Sequence, residues 1–299
     1  MEKFKSGFVS IIGRTNVGKS TLINSLTNQK VAIAVNKPQT TRTAIKAIIN
    51  NPNSQIIITD TPGIHKPRTK LGTVMNETAF TMVGEVDVIL FVIEATSETI
   101  GKGDRIILDK LKKKKKKAIL IINKIDLIKR EKLLSLIELY SKEYNFEAVI
   151  PISANKRKGM EEIIKEIEKL LPEGPKYYDE EEYTDQTARQ LAEEIIREKA
   201  LKLLNEEVPH GIYVDIEKFK YRKTVKKEDI YDIDAIIYCE RNSHKGIIIG
   251  KDGNLLKKIG QYSRQDIEEM LGTKVNLKLW VKVKEDWQDS ENILKKFKL

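Results

Sequence analysis

At 299 residues with 40% hydrophobic content, the chain has the length for about two domains and the apolar material to fill a core in each. No apolar run approaches the ~20 residues needed to cross a bilayer. Met1–Ser6 leads into a strand-like segment rather than a signal core, and the lone Cys239 excludes an internal disulfide framework, so a reducing cytoplasm is expected. The formal charge of +10 points to a polyanionic partner, although it divides as +11 over residues 1–175 and −1 over residues 176–299.

Through the first half, apolar runs alternate with helical periodicity. Phe8–Ile12, Ala44–Ile49, Gln55–Thr59, Val86–Ile93, Ala118–Ile122 and Ala148–Pro151 read as strands. Stretches near 19–27, 71–83, 103–112, 131–144 and 159–171 read as helices. Near-continuous Ile/Val/Leu strands alternating with helices predict an α/β fold with a mostly parallel sheet covered on both faces. Ligands of such sheets bind at the carboxyl ends of the strands.

The motifs fall at those ends. Gly13-Arg14-Thr15-Asn16-Val17-Gly18-Lys19-Ser20, followed by Thr21, has the spacing G-x-x-x-x-G-K-S between the first strand and the helical stretch near 19–27. Backbone N–H groups of such a loop cradle phosphates, Lys19 adds charge at the outer phosphates, and Ser20 offers a hydroxyl to Mg²⁺. Lys37–Thr43 reads as a loop in which Thr41, with Thr40 the alternative, completes Mg²⁺ coordination when a γ-phosphate is present. Asp60-Thr61-Pro62-Gly63 follows a strand: the carboxylate holds a Mg²⁺-bound water and the Gly63 N–H approaches the γ-phosphate. Ile64–Lys70 is a second switch segment, in which His65 reads as a solvated residue with general base as the alternative. Asn123-Lys124-Ile125-Asp126 ends another strand, and the Asp126 carboxylate can accept from the guanine N1–H and exocyclic amine, which adenine cannot reproduce. Ser153-Ala154, after the last strand, places backbone groups near the guanine carbonyl. The run Lys112–Lys117 reads as a solvated helix end, with a membrane-surface or RNA contact as the alternative.

Together G-x-x-x-x-G-K-S, T-T-R, D-T-P-G, N-K-I-D and S-A resemble the translation-factor-related class of P-loop GTPases. The resemblance implies that Asn16 binds a K⁺ ion near the phosphates. It also implies that the apolar Ile64 stands where Ras-like proteins place a water-orienting glutamine, so intrinsic hydrolysis is slow. The chain departs from its relatives at Thr15, where proline is usual.

Pro172-Glu173-Gly174-Pro175 ends the first domain, giving boundaries of 1–175 for the nucleotide domain, 176–185 for an acidic linker and 186–299 for a second domain with a C-terminal tail. Residues 186–205 read as an amphipathic helix burying Leu191, Ile195, Ile196, Ala200, Leu203 and Leu204, with strands near 211–218 and 230–240. Gly250-Lys251-Asp252-Gly253 is a G-x-x-G loop between a short apolar helix and one that buries Leu255, Leu256, Ile259, Ile267, Met270 and Leu271. Its glycines allow close approach to a nucleic-acid strand and Lys251 meets phosphate; Asp252 and Lys257 belong to the same candidate RNA surface. Val275–Val283 alternates, and Trp280, between Lys278 and Lys282, either stacks on a base or packs internally. Residues 241–284 carry +6 within a near-neutral domain.

This α+β arrangement resembles a type II KH domain, and a P-loop GTPase domain followed by one resembles the Era family of bacterial ribosome-assembly GTPases across essentially the whole chain. The resemblance implies GTP hydrolysis coupled to binding near the 3′ end of 16S rRNA in 30S subunit maturation, with GTP/GDP, Mg²⁺ and K⁺ as ligands. It implies an RNA rather than a DNA partner, a monomer, and a cytoplasmic location with weak peripheral attachment to the inner membrane face. An RNA-binding assembly protein that binds GTP with negligible hydrolysis is the alternative.

Overall fold

A computed structural model describes residues 3–296 apart from Asn36, Pro38, Gln39, His65, Lys66, Arg68, Glu206 and Glu207. The reading of His65 therefore lies outside the described residues. The chain divides into two compact units, the first running to Asp185 and the second Gln186–Leu294.

The first unit is built on six strands: β1 (Lys5–Ile12), β2 (Ile45–Asn51), β3 (Ser54–Asp60), β4 (Val88–Glu94), β5 (Ala118–Asn123) and β6 (Ala148–Pro151). Their order is β2-β3-β1-β4-β5-β6. Only β2 runs antiparallel, paired to β3 from Ile45 opposite Asp60 to Asn51 opposite Ser54. The helices are α1 (Lys19–Thr27), α2 (Lys70–Glu85), α3 (Lys102–Lys114), α4 (Arg130–Ser141) and α5 (Met160–Leu170). β1, β3, β4 and β5 are buried on both faces, which is why they read as unbroken apolar runs. On one face Leu22, Ile23 and Leu26 of α1 and Ile163 and Ile167 of α5 pack against Val9, Ile11 and Ile58. On the other, Ile107, Leu108 and Leu111 of α3 and Leu136 and Tyr140 of α4 meet Phe91, Ile93 and Leu120.

The lysine run divides between elements. Lys112–Lys114 form the last turn of α3, where positive charge complements the helix dipole, and Lys115 closes it in the left-handed region at φ 47°. Lys112 pairs with Glu143 at 3.0 Å and Lys116 Nζ donates to the Val86 carbonyl at 2.9 Å.

The acidic stretch after Pro175, expected as a linker, is packed on the first unit. Ile48 N–H donates to the Tyr183 carbonyl at 3.0 Å and Thr184 Oγ1 to the Lys46 carbonyl at 2.8 Å, covering the outer edge of β2. Gln55 fixes it further, donating to the Tyr178 carbonyl at 2.8 Å and accepting from the Tyr177 N–H at 2.6 Å.

The second unit carries α6 (Ala188–Leu203), β7 (Ile212–Lys223), β8 (Asp229–Cys239), α7 (Asn242–Ile249), α8 (Asn254–Leu271) and β9 (Lys274–Val283). Its sheet has the order β7-β8-β9, the first pair antiparallel and the second parallel. α6 opens with a capping box between Thr187 and Gln190 and buries Leu201, leaving Leu203 only half-buried. β7 extends beyond the predicted strand because its polar end still pairs across to β8, with Arg222 held to Asp232 at 2.7 Å. Cys239 is buried in β8, and fully buried Trp287 donates Nε1–H to the Gly211 carbonyl at 3.0 Å.

Candidate functional site

At the carboxyl ends of the first unit's strands lies a cavity of about 480 Å³ lined by Thr15, Asn16, Gly18, Lys19, Ser20 and Thr21 of the P-loop region. Thr40, Thr41, Gly63, Asn123, Lys124, Asp126, Ser153 and Ala154 close it. The parallel sheet is what gathers these segments, since each follows a strand that points the same way.

The loop is held in shape mainly by main-chain carbonyls. Buried Lys19 donates from Nζ to the carbonyls of Gly13 at 3.1 Å and Arg14 at 2.8 Å. Lys124 Nζ donates to the Asn16 carbonyl and to Glu94 Oε2, both at 2.8 Å. Asn16 is exposed, in the left-handed region at φ 65°. Gly18, at φ 97°, faces Asn123 so closely that a Cβ would lie 2.3 Å from its Nδ2, so glycine is required there. Ile64, buried at 6% exposure, donates its N–H to the Gly13 carbonyl at 3.2 Å beneath the loop. Gly63 lies against the Thr15 backbone, 2.9 Å separating its notional Cβ from the Thr15 Cα.

Beside Lys19, three oxygens form a triangle. Ser20 Oγ and Thr41 Oγ1 each donate to Asp60 Oδ2 at 3.0 Å and lie 3.0 Å from one another. Thr40 instead turns its hydroxyl to the Lys37 carbonyl at 2.6 Å, so the two threonines have different partners. Asp60 is fully buried, and its Oδ1 accepts no hydrogen bond from the described residues. Two hydroxyls with free lone pairs and an orphaned carboxylate oxygen are a hard oxygen donor set that fits Mg²⁺. Burial pushes the Asp60 carboxyl up against the pull of Lys19 and the two hydroxyls, and burial pulls the Lys19 ammonium down to about 8 despite Asp60.

At the other end, Asn123 ties the base-reading loop to the phosphate loop. Its Nδ2 donates to the Val17 carbonyl at 2.9 Å, while its Oδ1 accepts from the N–H groups of Lys124 at 2.8 Å and Ala154 at 3.0 Å. Ser153 Oγ donates to Asp126 Oδ1 at 2.6 Å, and that bond holds the Asp126 carboxyl below the usual carboxylate range. Each carboxylate oxygen keeps a lone pair for further donors.

Some predicted residues act from behind the cavity. Val17 is buried, and Thr61 donates Oγ1–H to the Ile11 carbonyl at 2.6 Å. Pro62 and Ile125 are outside the lining, and Arg14 turns its guanidinium away toward α3. Sequence reasoning missed Ala34, Val35, Leu127 and Asn155, which line the cavity. Leu127 is 63% exposed at the cavity rim, an exposure that the sequence does not carry.

In the second unit Gly250 has φ 72° and ψ 175°, and a Cβ there would lie 2.7 Å from that of Leu255. The Gly253 N–H returns to the Gly250 carbonyl at 3.1 Å, leaving Lys251 and Asp252 exposed at the tip. Lys257 is exposed on α8, and Trp280 is 43% exposed on β9 rather than part of the unit's core.

A P-loop, a Ser–Thr–Asp oxygen cluster and an Asn-Lys-x-Asp base loop on a mostly parallel sheet define the first unit as a guanine-nucleotide GTPase domain. A family profile described as a 50S ribosome-binding GTPase matches residues 8–124, and a KH-domain profile matches residues 207–288. The chain is 53% identical over 292 residues to the GTPase Era of Ruminiclostridium cellulolyticum, covering 98% of this chain and 96% of that one. It is 51% identical over 295 residues to the GTPase Era of Clostridioides difficile, covering 98% of both. A crystal structure of Era with MgGDPNP and nucleotides 1506–1542 of 16S ribosomal RNA superposes with a TM-score of 0.93 at 42% identity over 98% of each chain. An Aquifex aeolicus Era variant bound to GDP·AlF4⁻ gives 0.93 at 41% identity, covering 98% of this chain and 99% of that one. The chain belongs to the Era family of GTPases, and the expected G domain followed by a KH domain is its fold.

Proposed function

We propose that this chain hydrolyses GTP to time its engagement with the 3′ region of 16S rRNA during small-subunit assembly, acting in the cytoplasm as a monomer. The observation that carries the reading is a G-x-x-G loop with left-handed glycines at Gly250 and Gly253, on the same chain as a guanine-nucleotide cavity. A related structure that holds both MgGDPNP and 16S rRNA nucleotides supports it.

In this reading Lys19 and the P-loop N–H groups offset charge on the β- and γ-phosphates. Ser20 and Thr41 would hold Mg²⁺ directly and Asp60 through water, the ion supplying neutralisation of the phosphate oxygens. The Gly63 N–H senses the γ-phosphate, so Thr41 and Gly63 together report the nucleotide state. Asp126 selects guanine, with Ser153 and Ala154 beside it. Ile64 has no group to orient water, so the unassisted rate is expected on the order of 10⁻⁴ s⁻¹. RNA binding then alters that rate by shifting the switch segments between conformers. Exposed Asn16 would hold K⁺ beside the phosphates, and hydrolysis is expected to run several-fold faster in K⁺ than in Na⁺; equal rates would remove that role.

The RNA half is tested with an oligonucleotide matching the 3′ end of 16S rRNA. Lys251→Ala is expected to weaken binding several-fold and to reduce the salt slope by about 0.7, the value for one phosphate contact on a single strand. Gly250→Asp should abolish binding, since any side chain there strains φ and meets Leu255. Unchanged affinity in Lys251→Ala and Gly250→Asp would reject the loop as the RNA contact.

A further inference from the structure

Arg14 belongs to the P-loop by sequence but not by contact. Its Nε lies 3.1 and 3.0 Å from the two carboxylate oxygens of Asp104, in the first turn of α3, and its Nη2 donates to Ser97 Oγ at 2.9 Å. Asp104 is fully buried and also accepts from the Tyr140 hydroxyl of α4 at 3.0 Å. Room for the arginine stem comes from the start of α3: a Cβ on Gly103 would stand 2.9 Å from Arg14 Cγ.

The consequence lies in the loop's main chain. The same residue whose side chain is fastened to α3 offers its carbonyl to Lys19 Nζ at 2.8 Å. Two residues on, the Asn16 carbonyl is gripped by Lys124, whose other partner, Glu94, stands 4.0 Å from the Arg14 guanidinium. Residues 13–16 are thus held by carbonyls on the cavity side and by one guanidinium on the far side. A planar guanidinium that donates from Nε to a buried carboxylate and from Nη2 to Ser97 Oγ fixes orientation as well as distance, which a single ammonium contact cannot do. A buried carboxylate is costly to desolvate, so one placed behind a loop needs converging donors, and here they come from Arg14 of the loop and Tyr140 of α4.

We infer that Arg14, Asp104 and Tyr140 form a positioning network that holds the outer turn of the P-loop, so that α3 and α4 set the rate of nucleotide release and hydrolysis. The inference rests on the reading of this loop as the phosphate cradle. Preorganised N–H groups lose effectiveness when their loop can relax, so loosening the far side should be felt as faster release and slower chemistry.

The test measures dissociation of fluorescent GDP, single-turnover GTP hydrolysis and the melting midpoint of the full chain. Arg14→Lys and Asp104→Asn are expected to release nucleotide about tenfold faster and to hydrolyse several-fold more slowly. Tyr140→Phe keeps its ring against Phe91, 6.1 Å between centroids, and should show the same change at about threefold. The double variant Arg14→Lys with Asp104→Asn should be no worse than the poorer single variant, because both remove one interaction. Lowered melting with unchanged release and hydrolysis, or additive effects in the double variant, would overturn the network. If Arg14→Lys does not fold, Tyr140→Phe decides. Lys19→Ala in parallel separates the two levels: normal nucleotide retention there would reject the phosphate-cradle reading itself, whatever the network variants do.

Discussion

Replacing Asp126 with asparagine is expected to weaken GTP binding on the order of 10⁴-fold and to give xanthosine triphosphate the advantage. In the proposed reading the carboxylate accepts two donors from guanine, whereas an asparagine amide presents a donor that suits the additional carbonyl of xanthine. Asp126 is prepared for the acceptor role: Ser153 donates to one oxygen at 2.6 Å and holds the carboxyl below the usual carboxylate range. Because a site built around a hydrogen bond loses most when its partner is left unmatched, the change should fall on base choice rather than on phosphate binding. Competition titrations with GTP, xanthosine triphosphate and ATP read this directly. Retained GTP preference in a folded variant would sink the base assignment.

Lys19→Ala is the second large effect. The ammonium sits between the carbonyls of Gly13 and Arg14 and is the principal positive charge facing buried Asp60. Burial disfavours its charged form despite Asp60, so the ammonium gains most when phosphate arrives. Truncating a buried, hydrogen-bonded charge typically reduces affinity on the order of 10²- to 10³-fold. GDP and GTP titration calorimetry should show that loss, while the melting midpoint without nucleotide shifts far less and the nucleotide-dependent rise in midpoint disappears. Wild-type affinity in this variant would contradict the cradle geometry.

Much of the site was legible because its chemistry is local in sequence. Gly13–Ser20, Asp60–Gly63 and Asn123–Asp126 each follow a buried strand, and a parallel sheet must bring such ends together. Choosing between Thr40 and Thr41 was not local: both are one hydroxyl in the same loop, and only the fold turned Thr41 to Asp60 and Thr40 to a carbonyl. The stretch after Pro175 read as a linker from its acidity, but its backbone pairs with the β2 edge, a property that composition does not carry. Lysines in β7 hid the length of that strand for the same reason, since its outer half is held by pairing to β8 rather than by burial.

By itself the sequence determined the two domain types, the phosphate and guanine chemistry, and the G-x-x-G loop, because each depends on residue identity at short, fixed spacing. Only the tertiary structure decided which threonine meets Asp60, that Ile64 lies beneath the P-loop, and that Arg14 faces α3 instead of the cavity. Those outcomes depend on where distant segments meet: ninety residues separate Arg14 from Asp104. A side chain's direction is set by the partner it reaches, and that partner becomes known once the sheet has closed around it.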